Sequence, residues 1–501
     1  MSQGAAPVAT ALLRAALEQA GLLVEVRGAL PESVSAITDD SRNAGAGACF
    51  VAVRGSARDG HAFLPQVEQG GAAMVIVAQD AQTSLPALVV RETRAAVAVA
   101  AAAFYGEPAR ELQIAAVTGT NGKTTTVGLL RHLLDAPDAP AASIGTLGVL
   151  RADGSPFPGG SGLTTPGPLE LHRVLRALVD AGVRRVAIEV SSHALDQQRV
   201  GGLTFAAAVF TNLTRDHLDY HGTMDAYFAA KAKLVNLVAA DGTVVSNADA
   251  SVWTRLPTTG RTLRFGVSAR ADLRAQDVCA HDVRYTPRGS AWLLKQGEQS
   301  RLIVLPLIGD FNVSNALAAA AAARALGVPL DTVAARLATA PQVPGRLELL
   351  AEHPTVLRDY AHTPDALARA LAALRPFTTG RLIVLFGCGG DRDRGKRPLM
   401  AIAAREGADH LVVTSDNPRT EDPERILDDV CAPLETGTYD RIEDRRAAIA
   451  HAITLADPQR DVVLLAGKGH ETYQIRGTTS YPFDEAAIVR ECISPPRRTP
   501  T

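Results

Sequence analysis

The run Thr118-Gly119-Thr120-Asn121-Gly122-Lys123-Thr124-Thr125-Thr126 follows an apolar, strand-like stretch at 114–117 and precedes a helix-like one at 127–134. Gly119 and Gly122 let backbone N–H groups close around a polyphosphate, Lys123 supplies a mobile cation, and Thr124 offers a hydroxyl to magnesium at a helix N-terminus. Only Thr120 and Asn121 separate the glycines, fewer than in the general phosphate loop. The strand-to-helix setting and the Lys-Thr pair nevertheless predict that the chain uses a nucleoside triphosphate. A glycine-rich turn without a ligand is the bland alternative.

Other chemistry-bearing residues fall at predicted strand ends, where ligands of open α/β sheets bind. Glu189 closes the strand-like run 186–190 and precedes Ser191-Ser192-His193. A carboxylate there suits a Thr124-bound magnesium, an ion that takes few protein oxygens plus water and phosphate. The segment Thr211-Asn212-Leu213-Thr214-Arg215-Asp216-His217-Leu218-Asp219-Tyr220-His221 is dense in metal-binding and proton-transferring groups. His217 and His221 have the spacing of a helical zinc pair, but the glutamate of HExxH is missing and no thiolate supports them, so zinc is not expected. One histidine assisting a second magnesium is the better reading. Lys231 lies in an amphipathic helix-like stretch, where pattern alone predicts a snorkelling surface lysine. Asn312 and Asn315 stand where they would cap the helix that follows.

Four further segments are rich in Arg, Asp and Glu: Asp359-Tyr360-Ala361-His362-Thr363-Pro364, the run from Gly387 to Arg397 containing Arg392, Asp416-Asn417-Pro418-Arg419, and Gly467-Lys468-Gly469-His470-Glu471. Each follows a predicted strand, so all can converge on one sheet edge. That mix suits a zwitterionic amino acid, whose carboxylate a guanidinium can fork and whose ammonium groups the acids can receive.

The elements that must position these groups read as an α/β protein. At roughly 100–200 residues per domain, 501 residues give three domains. The first holds a helix at 9–20, strands at 49–53 and 73–77 and an Ala-rich helix at 95–105, and Gly106-Glu107-Pro108 sets its end near residue 110. The middle section alternates strands at 114–118, 183–190, 206–213 and 243–246 with the loop's helix and another at 224–238, the signature of a mostly parallel sheet. Short β-rich runs across 261–307, read as added strands, and a helix at 312–326 complete it. Pro341-Gln342-Val343-Pro344-Gly345-Arg346 places the second boundary near 345. Strands at 356–359, 382–387, 411–415 and 462–467 follow. The predicted domains are therefore 1–110, 111–345 and 346–501, with a central P-loop ATPase.

Composition limits the partners. Apolar residues make up 47% and charged ones 21%, a globular balance. With 51 basic against 53 acidic residues, no overall field favours nucleic acid or an anionic membrane. Five scattered cysteines without a CxxC pair fit reduced thiols in a cytoplasm. The apolar stretch at 8–23 is interrupted by Arg14 and Glu18 and lacks a preceding basic segment, unlike an export signal. The longest uncharged runs fall short of the ~20 residues that span a bilayer, so no membrane insertion is expected.

Taken together, the short phosphate loop, Glu189-Val190-Ser191-Ser192-His193, Asp216-His217-Leu218-Asp219, Asp359-Tyr360-Ala361-His362-Thr363-Pro364 and the DNPR tetrapeptide resemble the Mur ligase family. The resemblance runs essentially end to end. It implies an N-terminal domain that holds a uridine diphosphate, a central ATPase, and a Rossmann-like C-terminal domain that brings an amino acid. Within the family, DNPR resembles the branch that adds meso-diaminopimelate to the D-glutamate γ-carboxylate of UDP-N-acetylmuramoyl-L-alanyl-D-glutamate in peptidoglycan precursor synthesis, since lysine-adding relatives usually differ where Arg419 stands.

The resemblance implies site residues as well. Ser41, Ser56, Ala57 and Arg58 match the uridine-binding region, and Thr164, Thr165, Ser191, Gln197 and Arg199 the muramoyl-dipeptide contacts, with Leu163 where some relatives have Asn. Gly119, Thr120, Asn121, Gly122, Lys123, Thr124, Thr125, Asn312, Arg346 and Asp359 match the ATP site. Arg392, Asp416, Asn417, Pro418, Arg419, Gly467 and Glu471 match the diaminopimelate pocket. Lys123, Glu189, His217 and Lys231 match the catalytic set, Lys231 as a lysine that carbon dioxide converts to a carbamate; with Thr124, Glu189 and His217 it would hold Mg2+.

The implied reaction activates the γ-carboxylate with ATP as an acyl phosphate, which the amine then attacks. It needs no protein nucleophile, and hinges near Glu107 and Pro344 would bring ATP and amine together. A monomer is expected. The nearest rival is the lysine-adding ligase of the same family. Folylpolyglutamate synthase is disfavoured by the DNPR and GKGHE runs, and a regulatory nucleotide-binding module is remote because Lys123, Glu189, His217 and Lys231 are all present.

Overall fold

Runs such as Met74–Ala78 and Leu382–Phe386 are buried at every residue, the pattern of strands covered on both faces. The computed structural model describes residues 7–55, 58–160, 162–257, 260–267, 278–286 and 288–493. The chain divides into two units, one of Met1–Cys279, Lys295–Ser300 and Ser314–Val333, the other of Ala280–Leu294, Arg301–Val313 and Ala334–Thr501.

Among the described residues the first unit carries two large sheets, beside a two-stranded pair of Val8–Ala9 with Ser33–Val34. In its N-terminal part, β1 (Leu23–Arg27), β2 (Ala36–Thr38), β3 (Ala48–Val51), β4 (Met74–Ala78) and β5 (Ala87–Val90) take the order β1-β5-β4-β3-β2, with only β1 antiparallel. Helices Thr10–Gln19 and Thr93–Phe104 cover one face through Leu13, Leu17, Val97 and Phe104. The longer helix is capped by Glu92, which accepts from the Arg94 and Ala95 amides.

The second sheet positions the phosphate loop. Its strands are β6 (Gln113–Thr118), β7 (Ala141–Gly145), β8 (Gly148–Arg151), β9 (Arg185–Glu189), β10 (Phe205–Phe210), β11 (Val238–Asn247) and β12 (Arg261–Gly266), in the order β8-β7-β9-β6-β10-β11-β12. All neighbours are parallel except β7 and β8. Because β6 lies between β9 and β10, with Val117 opposite Glu189 and Thr118 opposite Phe210, the loops after all three emerge on one edge. The helix expected at 224–238 ends at Ala232; a 3-10 turn, Lys233–Leu237, follows, and Val238 already begins β11. Of the strands expected after 261, the first joins this sheet, where Phe265 and Gly266 pair with Val278 and Cys279.

The second unit is a doubly covered sheet of β13 (Glu348–Glu352), β14 (Thr355–Asp359), β15 (Leu382–Phe386), β16 (His410–Val413), β17 (Tyr439–Arg441) and β18 (Val462–Ala466), in the order β13-β14-β18-β15-β16-β17. Only the β13–β14 pair is antiparallel. Alternation along β15 decides the layers: Leu382, Val384 and Phe386 face helices Pro364–Leu374, Lys396–Gly407 and Pro423–Cys431, while Ile383 and Leu385 face Arg445–Leu455 and Glu485–Ile493. The helix expected to open at Asn312 begins at Asp310, so Asn312 and Asn315 lie inside it and are not its caps.

The last helix is anchored by an ion pair with both side chains fully buried. Arg445 reaches Glu485 at 2.8 Å and also donates to the Ala466 and Ser415 carbonyls at 2.9 and 3.3 Å. Removing one partner strands the other charge in a low dielectric. Glu485→Ala is therefore expected to destabilise this unit by about 3–5 kcal/mol, whereas Arg445→Met/Glu485→Leu recovers most of that loss. Urea unfolding of the three proteins checks this. Among the described residues no helix is long and apolar enough to cross a membrane.

Candidate active site

The loop after β6 closes into helix α1 (Lys123–Leu134). Gly122 has φ +86°, and a Cβ there would lie 2.3 Å from the Asn315 amide oxygen, so the short loop needs glycine on both counts. The segment after β10 cradles it. Asn212 accepts from the Asn121 amide at 2.9 Å, Thr211 donates to the Asn121 carbonyl at 2.7 Å, and the Thr120 hydroxyl lies 3.2 Å from the Tyr227 phenol. Lys123 Nζ donates to the carbonyls of Gly119 and Thr120, both at 2.9 Å, which tethers the cation above its own loop.

Glu189 is 1% exposed at the end of β9 and is fully engaged. Its Oε2 accepts from the hydroxyls of Thr124 and Thr146, both at 3.1 Å, and its Oε1 from the Thr146 amide at 2.8 Å. Gly145 permits this approach, because a Cβ would stand 2.2 Å from Oε1. A buried carboxylate paired with the phosphate-loop threonine is the donor set a magnesium ion would use. Among the described residues no group of three or more His, Cys, Asp or Glu is arranged to hold a metal, so water and phosphate oxygens would complete such a shell.

Lys231, expected on the surface, is 1% exposed. Its ammonium nitrogen lies 2.8 Å from the Gly119 carbonyl and 4.6 Å from the centre of the Tyr227 ring. Burial first, and then the neighbouring Lys123 cation, hold its pKa well below the usual lysine value, against a smaller pull from Asp216. His217 has a left-handed backbone, with φ 52°, and packs edge-on against His193, their centroids 4.9 Å apart. Burial lowers its pKa, with Lys123 and Lys231 adding to the shift and Asp216 opposing it, which favours the neutral imidazole that a metal ligand requires. His221 instead donates to or accepts from the Ser192 hydroxyl at 2.9 Å.

The residues matched to the muramoyl dipeptide form one network with Glu189. Thr165 donates to the Glu189 carbonyl at 2.9 Å and accepts from the Ser191 amide at 3.1 Å, while the Thr146 hydroxyl, donating to Glu189, can accept from Thr164 at 3.2 Å. Arg199 holds Gln197 Oε1 at 2.7 Å and the Thr165 carbonyl at 3.2 Å. Leu163 is 46% exposed beside them. In the N-terminal sheet, Ser41 follows β2, and exposed Arg58 lies in the loop after neighbouring β3, so both sit on one edge. Ser56 and Ala57 lie outside the described residues.

The second unit gathers the downstream candidates. Asp359 ends β14; burial pushes its carboxyl up to about 6, the nearby Arg346 cation opposing, and it accepts from the Leu347 amide at 2.7 Å. Arg346 lies over the Tyr360 ring at 4.8 Å, and Asn312 donates to the Ile308 carbonyl at 2.8 Å. Asp416, Asn417 and Pro418 are buried after β16, and Asn417 donates to Glu471 at 2.9 Å. Gly467 approaches closely: a Cβ there would be 2.7 Å from Asp416 Oδ2. Arg419 donates through Nη1 to the Gly390 carbonyl at 2.9 Å, leaving Nε and Nη2 without a protein acceptor among the described residues. Arg392 is exposed and, among the described residues, bonds only to the Asp391 carbonyl, at 3.2 Å, so it stands apart from this cluster's hydrogen bonds.

Sequence reading passed over Thr146, Asn212, Tyr227 and Lys468. Lys468 carried a signal, its place inside the GKGHE run; Thr146 carried none, because nothing marks a threonine after an unrecognised strand.

A phosphate loop braced by a strand-end carboxylate, with an amino-acid-like pocket in a second α/β unit, defines an ATP-dependent ligase. Family models match along the chain: the Mur ligase family catalytic domain over residues 33–121, the Mur ligase middle domain over 117–323, and the Mur ligase glutamate ligase domain over 345–469. The chain belongs to the Mur ligase family. It is 45% identical over 480 residues to the UDP-N-acetylmuramoyl-L-alanyl-D-glutamate–2,6-diaminopimelate ligase of Synechococcus elongatus, covering 92% of this chain and 94% of that one. The ligase of the same name from Gloeobacter violaceus is 44% identical over 477 residues, covering 93% and 95%. A solved structure of a ligase with that name superposes with a TM-score of 0.67 at 32% identity, covering 94% of this chain and 97% of the other.

Proposed function

We propose that this Mur ligase joins meso-diaminopimelate to the γ-carboxylate of D-glutamate in UDP-N-acetylmuramoyl-L-alanyl-D-glutamate, with ATP consumed to ADP and phosphate. The observation that carries the choice of amine is Arg419, whose Nε–Nη2 edge has no protein acceptor among the described residues and lies beside the Asp416–Asn417–Glu471 cluster. That edge can fork the second carboxylate, which lysine lacks. The names of the relatives point the same way.

A γ-carboxylate oxygen of the precursor attacks the γ-phosphorus of ATP, and the bond to ADP breaks. The resulting acyl phosphate is attacked at its carbonyl carbon by the amine, which loses a proton, and inorganic phosphate leaves with the electron pair of the broken C–O bond. Lys123 transfers from its loop carbonyls to the phosphoryl oxygens and offsets the charge spread over them. Glu189 orients the Thr124 hydroxyl, and Thr165 and Arg199 brace the precursor side of the same network. Thr124, Glu189, His217 and a carbamate on Lys231 would hold magnesium, which when bound neutralises phosphate charge. Asp416 and Glu471 receive ammonium, and Arg419 receives carboxylate.

The specificity is tested by Arg419→Ala. Losing a charge-assisted fork is expected to lower kcat/KM for meso-diaminopimelate about 100-fold while leaving the KM values for ATP and precursor nearly unchanged. Phosphate release measured with each amine reads the outcome, and equal loss with lysine would remove Arg419 from the role.

A further inference from the structure

Lys468 is fully buried in the second unit, on the turn after β18, and no step of the reaction above uses it. Its ammonium nitrogen lies 3.1 Å from Asn417 Oδ1, 3.2 Å from Glu471 Oε2 and 3.8 Å from Asp416 Oδ1, with the rings of Tyr473 and Phe483 centred 5.8 and 6.0 Å away. A buried ammonium is costly unless it is paired and hydrogen-bonded, and here its partners are the acids assigned to the amino acid.

The contacts are unevenly shared. Glu471 Oε2 receives both Lys468 and the Asn417 amide, at 3.2 and 2.9 Å, whereas Oε1 has no protein donor among the described residues. Asn417 Oδ1 is fixed from the other side by the Ile475 amide at 2.9 Å, so the triad cannot rotate freely. Two carboxylates and one ammonium leave the cluster with a single net negative charge. Arg419, Tyr473, Tyr360 and Cys388 are among the other charged or titratable groups around these acids.

We propose that Lys468 is a positioning residue for the amine substrate: it pins Glu471 through Oε2 and trims the pocket to one net negative charge, so that Glu471 Oε1 and Asp416 receive a single ammonium group. The proposal rests on the reading of Asp416, Asn417, Arg419 and Glu471 as the amino-acid pocket. Without Lys468 the two carboxylates would lose the cation that lies between them and would repel each other.

The experiment is a steady-state comparison of the full-length enzyme with Lys468→Met, Lys468→Arg, Glu471→Gln and the Lys468→Met/Glu471→Gln double variant. Lys468→Met is expected to raise the KM for meso-diaminopimelate about 30-fold and to leave the KM values for ATP and precursor within about 2-fold. Lys468→Arg is expected to restore most of the affinity, and Glu471→Gln to cost far less in the Lys468→Met background than alone. An unchanged amine KM in Lys468→Met, or fully multiplicative effects in the double variant, overturns the proposal. Should Lys468→Met not fold, Lys468→Gln, which keeps a donor but removes the charge, decides: its amine KM must rise with the ATP KM constant, and no rise refutes positioning. A parent enzyme with no amine-dependent phosphate release fails at an earlier stage and identifies the pocket reading itself as the fault.

Discussion

Lys123→Met is expected to lower phosphate release about 1000-fold while leaving the folded structure intact. The side chain is half-buried and makes its hydrogen bonds to the carbonyls of Gly119 and Thr120, bonds that hold the loop but no core element. Its cation stands at the mouth of α1, so its loss falls on the transferring phosphoryl group, where charge is spread over three oxygens. A second signature follows from geometry. Lys123 helps to depress the pKa of Lys231, so Lys123→Met is expected to raise that pKa. Single-turnover ADP release and thermal unfolding, measured together, separate catalytic loss from instability, and a rate within 10-fold of the parent would refute the role.

Lys231→Met is expected to lower turnover by a similar factor, about 1000-fold, by a different route. A lysine 1% exposed, with its nitrogen 2.8 Å from a carbonyl and its pKa held well down by burial and Lys123, is placed where the neutral amine is favoured over the ammonium. Such an amine attacks carbon dioxide, forming an N–C bond and releasing one proton, to give a carbamate whose negative charge turns the repulsion from Lys123 into attraction. Parent enzyme stripped of carbon dioxide is therefore expected to lose activity and to regain it with bicarbonate. A carbon-13 carbamate resonance should appear in the parent and vanish in Lys231→Met; its absence from active parent enzyme would contradict the assignment.

The same lysine marks the boundary of what sequence could disclose. Its stretch is apolar on one side and polar on the other, and in isolation that predicts a surface lysine. Burial came from tertiary placement, Gly119 and Tyr227 closing over it, and only family resemblance pointed inward. Strands with long, continuous apolar runs, such as β6, β15 and β18, were legible from the residues alone. The missed ones were short or lay toward sheet margins: β2 has three residues, and β8, β13 and β17 are terminal in their sheets. Without β7, the glycine at its end and Thr146 beyond it carried no message, although both shape the surroundings of Glu189. The helix expected through 238 was overextended because its apolar residues continue into β11, and periodicity cannot tell a 3-10 turn from a last helical turn. Asn312 and Asn315 read as caps because Asp310, two residues earlier, begins the helix.

The C-terminal site was nearly complete in sequence, since DNPR and GKGHE are contiguous. Its physical logic was not: that Asn417 bonds Glu471, and that Lys468 stands beneath both, requires the fold to bring the ends of β16 and β18 together across β15.

The central claim is amide synthesis with a chosen amine, and one competition measures it. Purified protein receives ATP, UDP-N-acetylmuramoyl-L-alanyl-D-glutamate and equal amounts of meso-diaminopimelate and L-lysine, and the products are weighed by mass spectrometry. The expected product carries diaminopimelate, formed in step with ADP and phosphate. A lysine adduct in excess, or ADP without any new amide, would contradict the account.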